Sequence, residues 1–228
     1  MLVATHQPIF LPWPGFFFKA MSVDCMVLLD SVQFPLGRGW MSRNRIKSNR
    51  GELWLTVPVS RSGRGLQPVC DVEIVYDRDW PSKHLKGIEQ NYLNAPCFSE
   101  HFKEIETIYK RYPNLIATLN IELIRYLWEA FSVSSKLVLQ SEIGVTGRGV
   151  DLIADICRAL GAEEYLALSV ARSRLDIALL ERRGIALRFL QYRPMVYPQF
   201  WGDFLSNLSA IDLLMNCGPK SREIIMGD

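Results

Sequence analysis

The sequence predicts an α/β protein with a mostly parallel, Rossmann-like sheet flanked by helices and a central helical block. Three observations predict it. Two short apolar runs, residues 2–5 and 25–29, flank a loop and a helix-length stretch, which reads as a right-handed βαβ unit. Strand-length and helix-length segments alternate again from 136 to 190. Three helical stretches without a strand lie between.

Residues 2–5 suit a buried parallel strand. Pro8, Pro12 and Pro14 then exclude regular structure until about Gly15, because proline lacks a donor and restricts its predecessor. A short helix is expected over 16–23, and a second buried strand over 25–29, ending at Asp30. Residues 31–51 show no clear periodicity. They carry Arg38, Arg43, Arg45, Lys47 and Arg50 with no acidic residue. Residues 53–57 alternate like a strand, 60–67 form a Gly/Ser/Arg loop, and 72–75 read as a short strand. Helices are expected over 80–93, 100–109 and 114–131. The third is the clearest: Leu115, Ile116, Leu119, Leu123, Leu127 and Phe131 recur at helical spacing behind Pro113. A strand over 136–140 follows, then a helix over 150–160 stopped by Gly161. Residues 165–168 are a strand, 175–183 a helix closed by Gly184, and 185–190 the last strand. A terminal helix over 208–216 stops at Gly218. One domain over 1–228 is expected, with a helical insertion or lid at about 80–132.

Hydrophobic residues make up 49% and charged residues 22%, enough for a core that encloses a pocket. A net charge of +2 is too small to point to nucleic acid. The five cysteines are widely spaced with no Cys-x-x-Cys pair, which argues against a disulfide framework and a structural zinc site. The N-terminus lacks the basic region of a signal peptide, and no apolar run has the length to span a bilayer. A cytoplasmic protein without membrane or metal is the expectation.

Four segments could carry chemistry. His6-Gln7-Pro8-Ile9-Phe10-Leu11-Pro12-Trp13-Pro14-Gly15 leaves the C-terminal end of the first strand, where α/β sheets place ligands. Its histidine, amide and glycine could hold an anion at a helix entrance. Its plain alternative is a rigid connection. Trp40 with Arg43, Asn44, Arg45 and Lys47 combines a stacking ring with guanidinium forks that match phosphate or carboxylate. Its alternative is a solvated loop, and one phosphorylated small molecule suits it better than nucleic acid. Ser169 to Arg174, with Arg172 and Ser173, could hold phosphate, although Ser169 or Ser173 as a helix cap explains it more simply. Tyr192 to Gln199 is a polar aromatic loop after the last strand. His84 and His101 lack partners at ligand spacing and read as structural or surface residues. No P-loop, Gly-x-Gly-x-x-Gly, His-Glu-x-x-His or nucleophile elbow occurs.

His6-Gln7-Pro8, Pro12-Trp13 with Gly15, Lys19, Asp24 and Asp30-Ser31-Val32-Gln33-Phe34 resemble the opening of the WbqC-like family. So do Trp40, Arg43-Asn44-Arg45-Ile46 and Trp54-Leu55-Thr56-Val57-Pro58, and, further on, Trp80, Lys83-His84, Tyr92, Tyr197, Gln199 and Asp212-Leu213-Leu214. The resemblance covers nearly the whole chain. Relatives tend to carry a Ser-Gly-Pro-Ser-Gly type turn where this chain has Ala167-Leu168-Ser169-Val170-Ala171-Arg172. The family is similar to products of bacterial O-antigen and related surface-glycan gene clusters. The resemblance therefore implies a transferase that joins glycine or another acyl group to an amino sugar, itself carried on a nucleotide, in lipopolysaccharide assembly. ATP or a nucleotide-activated donor would supply the activation; neither the cofactor nor the oligomeric state can be read from the residues.

On that reading His6 positions a phosphate or acts as general acid–base, with Gln7, Lys19 and Arg43 beside it as catalytic candidates. Arg43, Arg45, Lys47 and Arg172 would balance the charge of an acyl phosphate or adenylate. Trp13 or Trp40 would stack on a ring, and Gly15, Asp30, Gln33, Asn44, Ser169, Tyr192 and Gln199 would complete the substrate site. His6 and Gln33 are expected in one cleft, with Asp30 paired to Arg43 or Arg45. Two alternatives stay open. The layout of the first βαβ unit is similar to that of His-x-Gly-His nucleotidylyltransferases, although the signature is absent, and a non-catalytic binder of a glycan intermediate fits the same residues.

Overall fold

The structure is a computed structural model that describes residues 1–37 and 39–227. Arg38 and the side chain of Arg174 lie outside the described residues. In chain order the elements are β1 (Leu2–His6), α1 (Pro14–Met21), β2 (Cys25–Leu28), β3 (Arg43–Ser48), β4 (Gly51–Thr56), α2 (Trp80–Tyr92), α3 (Phe98–Lys110) and α4 (Ile116–Ala130). There follow β5 (Lys136–Leu139), α5 (Gln140–Ile143), α6 (Gly149–Leu160), β6 (Glu164–Leu168), α7 (Ile177–Arg182), β7 (Ala186–Leu190), α8 (Ala210–Cys217) and α9 (Ser221–Met226). They form two compact units. The first takes Met1–Gln7, Phe18–Val32 and Val133–Arg193; the second takes Pro8–Phe17, Gln33–Ser132 and Pro194–Asp228.

The first unit is a five-stranded sheet in the order β5-β2-β1-β6-β7. Every neighbouring pair is parallel, so the α/β expectation holds. Val3, Ala4, Met26, Val27 and Leu28 are fully buried, which is why β1 and β2 read as unbroken apolar runs. Leu152, Ile156 and Cys157 of α6 join Val3, Val27 and Tyr165 in one core cluster. Gly161 ends α6 at φ 66°, a left-handed conformation that glycine adopts without strain. From β1 the chain adds β2 and β5 on one side, then β6 and β7 on the other. The topological switch point therefore lies between β1 and β6, where His6 and Leu168 end their strands.

The second unit holds the β3–β4 hairpin and the helices α2, α3, α4, α8 and α9. The hairpin pairs Arg43 with Thr56, Arg45 with Trp54 and Lys47 with Glu52, and turns at Gly51, φ 98°. The proline-rich segment 8–14 is buried rather than a surface connection. The Asn44 side-chain amide donates to the carbonyls of Phe10 (3.2 Å) and Leu11 (2.6 Å). Asn120 donates likewise to Pro8 (2.7 Å) and Met41 (2.8 Å). These two amides supply donors that three prolines and a left-handed Leu11 (φ 44°) leave this segment unable to find in a ladder.

Three expectations need correction. Residues 43–48 are a strand where no periodicity was visible, because its inward positions carry Asn44 and Ser48 beside Ile46, and Lys47 on the opposite face is buried as well. Residues 72–75 make only single bridges, Glu73 to Leu115 and Ile74 to Val59, after a short turn at Val69–Asp71. The cap of α7 is Asp176, whose carboxylate accepts from Leu179 N at 3.0 Å; neither Ser169 nor Ser173 serves. Among the described residues no helix is long and apolar enough to cross a membrane.

Candidate functional site

In the first unit His6 ends β1, and the side chains of Lys19 and Tyr165 both reach its neighbour Thr5. The Lys19 ammonium, almost wholly buried, donates to Thr5 O at 2.8 Å. Burial lowers its pKa from 10.5 to about 8. The His6 pKa falls from 6.5 to about 4, first through burial and then through the nearby Lys19 charge. His6 is therefore a neutral imidazole at pH 7. Its Nδ1 stands 2.8 Å from the Gln7 carbonyl, an acceptor only, so that nitrogen carries the proton and Nε2 is the unprotonated one. Beside it the Thr5 and Tyr165 hydroxyls meet at 2.8 Å across β1 and β6.

Asp30 ends the next connection. Its carboxylate accepts from Ser141 N (3.0 Å), Ser141 Oγ (2.5 Å) and Ser31 Oγ (3.4 Å). Within its unit this carboxylate is a tie that anchors the start of α5. Ser169 Oγ donates to Leu190 O at 3.1 Å, the Arg172 guanidinium lies 4.6 Å from the centre of the Phe189 ring, and Tyr192 packs on Phe18 at 5.3 Å.

In the second unit one face of the hairpin forms a groove. Directly opposed residues share a face, so Arg43, Arg45 and Lys47 stand with Thr56, Trp54 and Glu52. The Arg43 guanidinium carbon lies 3.6 Å from the centre of the Trp54 ring. Trp40 stacks on Trp54 at 5.7 Å and 28°. Both rings are open to solvent, at 49% and 38% exposure, which is uncommon for tryptophan without a partner to recognise. An open groove of about 540 Å³ runs past Arg43 and Trp54 to Ser42, Val57 and Arg61. A smaller recess of about 260 Å³ is bounded by Gly39, Trp40, Arg43 and Trp54. Arg61 braces its rim, donating to the Gly37 carbonyl at 2.7 Å over the face of Phe34. An electron-rich ring pair with a guanidinium laid on it suits a planar or saturated ring that carries an anionic group.

The other predicted residues of this unit divide differently. Arg45 pairs with Glu52 and is 5.9 Å from Trp54. Gln33 is exposed and bridges Pro68 through its backbone. Gly15 has a packing role: a Cβ there would meet the Trp13 ring at 2.1 Å. Asn44 and Lys47 are buried and Gln199 is half-buried. The Lys47 ammonium donates to Gln199 Oε1 (3.1 Å) and to the Asp203 carbonyl, while Gln199 Nε2 donates to Asp212 (2.8 Å). Fully buried Asp212 also accepts from Tyr92 (2.5 Å) and Tyr197 (2.8 Å), and burial raises its pKa against those hydrogen bonds. His84 is buried as well. Thr56 N donates to its Nε2 at 2.9 Å, and burial lowers its pKa to about 4. Sequence reasoning missed Trp54 and Arg61 as groove residues; an exposed tryptophan at an outward strand position was the available signal for the first.

A parallel five-stranded sheet with a switch point in one unit, and an aromatic–arginine groove in the other, define a mostly parallel α/β protein. The chain belongs to the WbqC-like protein family, whose model matches residues 7–224. It is similar to the uncharacterized protein Rv1507c of Mycobacterium tuberculosis (strain ATCC 25618 / H37Rv), 30% identical over 226 residues, 98% of this chain and 96% of that protein. No solved structure matches the chain.

Proposed function

We propose that this protein is a transferase of surface-polysaccharide assembly that joins glycine or another acyl group to a nucleotide-linked amino sugar, which it binds in the Trp54 groove. The observation that supports this reading best is the Arg43 guanidinium lying on Trp54 beside Trp40: a ring slot and an anion fork in one recess. In the reaction the sugar amine forms a bond to the activated acyl carbon. The phosphate or adenylate leaves with the bonding electrons, and the amine loses a proton. In the first unit the neutral His6 imidazole suits general-base work, the uptake of a proton. Lys19, poised near pKa 8 by burial, supplies positive charge at the same strand end.

The test is direct. The purified chain is incubated with glycine, ATP and a nucleotide-linked 4-amino sugar, and amide is sought by mass spectrometry. Product defeats the binder alternative; silence across several acyl donors defeats the transferase. The switch-point placement of His6 also favours the nucleotidylyltransferase alternative, which expects pyrophosphate release from a nucleoside triphosphate without amide.

A further inference from the structure

A second recess opens on the same face of the hairpin. Lys47, Asn49 and Gly51 at its turn end, with Trp201, Gly202 and Asp203, bound a pocket of about 400 Å³. Trp201 is 42% exposed and sits at φ 64°, a left-handed conformation that costs a bulky residue energy. Its indole N–H donates to Asn91 O at 3.2 Å, so the ring is pinned while part of its surface stays open. A strained backbone that presents an aromatic ring beside a pocket is a feature of ligand sites rather than of cores. The Lys47 ammonium donates to Gln199 and Asp203, and among the described residues no carboxylate stands at ion-pair distance from it.

Between the two recesses stands Arg45. Its Nη1 pairs with Glu52, but its buried Nε has no hydrogen-bond partner. An unmet donor on a guanidinium is costly unless an acceptor reaches it. Arg43 and Lys47 are four residues apart on one strand, about 14 Å at ~3.4 Å per residue. The face thus offers a ring slot, two guanidinium groups and a second ring surface in a line.

We infer that this face holds a nucleoside diphosphate sugar lengthwise, with the base at Trp40 and Trp54, the diphosphate along Arg43 and Arg45, and the sugar on Trp201. The inference rests on the groove reading above and adds the direction in which the ligand lies and a subsite for its sugar. Trp201 is a specificity-determining residue on this account: it recognises the sugar and leaves the nucleotide untouched.

Calorimetric titration of the full chain with UDP, dTDP, UDP-N-acetylglucosamine and dTDP-glucose tests it. At least one nucleotide sugar should bind about 2- to 10-fold tighter than its parent diphosphate, the range expected of one aromatic contact. Trp201→Ala should abolish that difference and leave the diphosphate Kd unchanged, whereas Trp54→Ala should weaken both ligands. Trp201→Gly, which relieves the left-handed strain, should behave like Trp201→Ala with the fold intact by circular dichroism. An unchanged difference in both Trp201 variants overturns the inference, and so does a failure of all four ligands to bind. Amide formation is a separate readout. A Trp201-dependent difference without amide keeps this subsite and removes the transfer; amide formed by Trp201→Ala with unchanged KM removes the subsite and keeps the transfer.

Discussion

The guanidinium carbon of Arg43 lies over the indole of Trp54, 3.6 Å from the ring centre, on an open face of the β3–β4 hairpin. An exposed contact of this type contributes ~0.5–1 kcal/mol, so its value to the fold is small. Arg43→Ala and Trp54→Ala should each keep folding stability within about 1 kcal/mol of the parent by urea denaturation. Each should weaken nucleotide binding by roughly tenfold, and the wild-type affinity should fall as salt rises. Unaltered binding in both variants would remove the groove as the nucleotide site.

Asn44 lies one residue from Arg43 and does the opposite work. Its amide holds the Phe10 and Leu11 carbonyls inside the unit. Asn44→Ala should destabilise the protein by at least ~2 kcal/mol, because two buried acceptors lose their donor. Asn44→Asp should be worse, since a carboxylate can donate to neither. Denaturant midpoints for the two variants check the order.

Asp212 gathers three donors from Tyr92, Tyr197 and Gln199 with no exposure to solvent. Asp212→Ala should cost ~3–5 kcal/mol, the scale seen when a buried charged network loses a member. Asp212→Asn, which keeps one acceptor, should cost clearly less. Equal losses in thermal melts would mean that the retained acceptor of Asn contributes nothing and that the lost carboxylate charge carries the whole effect.

His84 sets an acid limit. Its ordinary pKa of 6.5 falls to about 4 in the fold. Between those values the unfolded chain binds a proton that the folded chain refuses, so stability rises with pH across this window and is lost as pH falls through it. From pH 7 to pH 5 the loss assigned to His84 is about 2 kcal/mol. His84→Gln, which can still accept from Thr56 N, should flatten that slope in urea titrations at the two pH values; an unchanged slope would assign it elsewhere.

His6 should matter for turnover more than for folding. His6→Ala is expected to lower amide formation by ~100-fold or more, the usual range for a lost acid–base or orienting group. If the nucleotidylyltransferase alternative holds, the same variant instead abolishes pyrophosphate release. A fully active His6→Ala chain excludes His6 from both.

Local pattern alone determined the parallel sheet. The apolar runs of β1 and β2, the helical spacing of α4 and the glycine stop of α6 are written within a few residues of where they act, since strand and helix periods are local properties. The candidate residues Trp40 and Arg43 were also legible, because an aromatic among arginines signals anion recognition wherever the backbone goes. Tertiary structure decided which polar residues face solvent. Asn44, Arg45 and Lys47 look alike in the chain, yet Asn44 meets Phe10 34 residues earlier and Lys47 meets Gln199 152 residues later. A buried polar side chain is stabilised only by its partner, and when that partner is distant in sequence no period or spacing announces it. For the same reason the hairpin strand β3 was hidden: its inward positions are satisfied by hydrogen bonds from afar rather than by apolar contact alone.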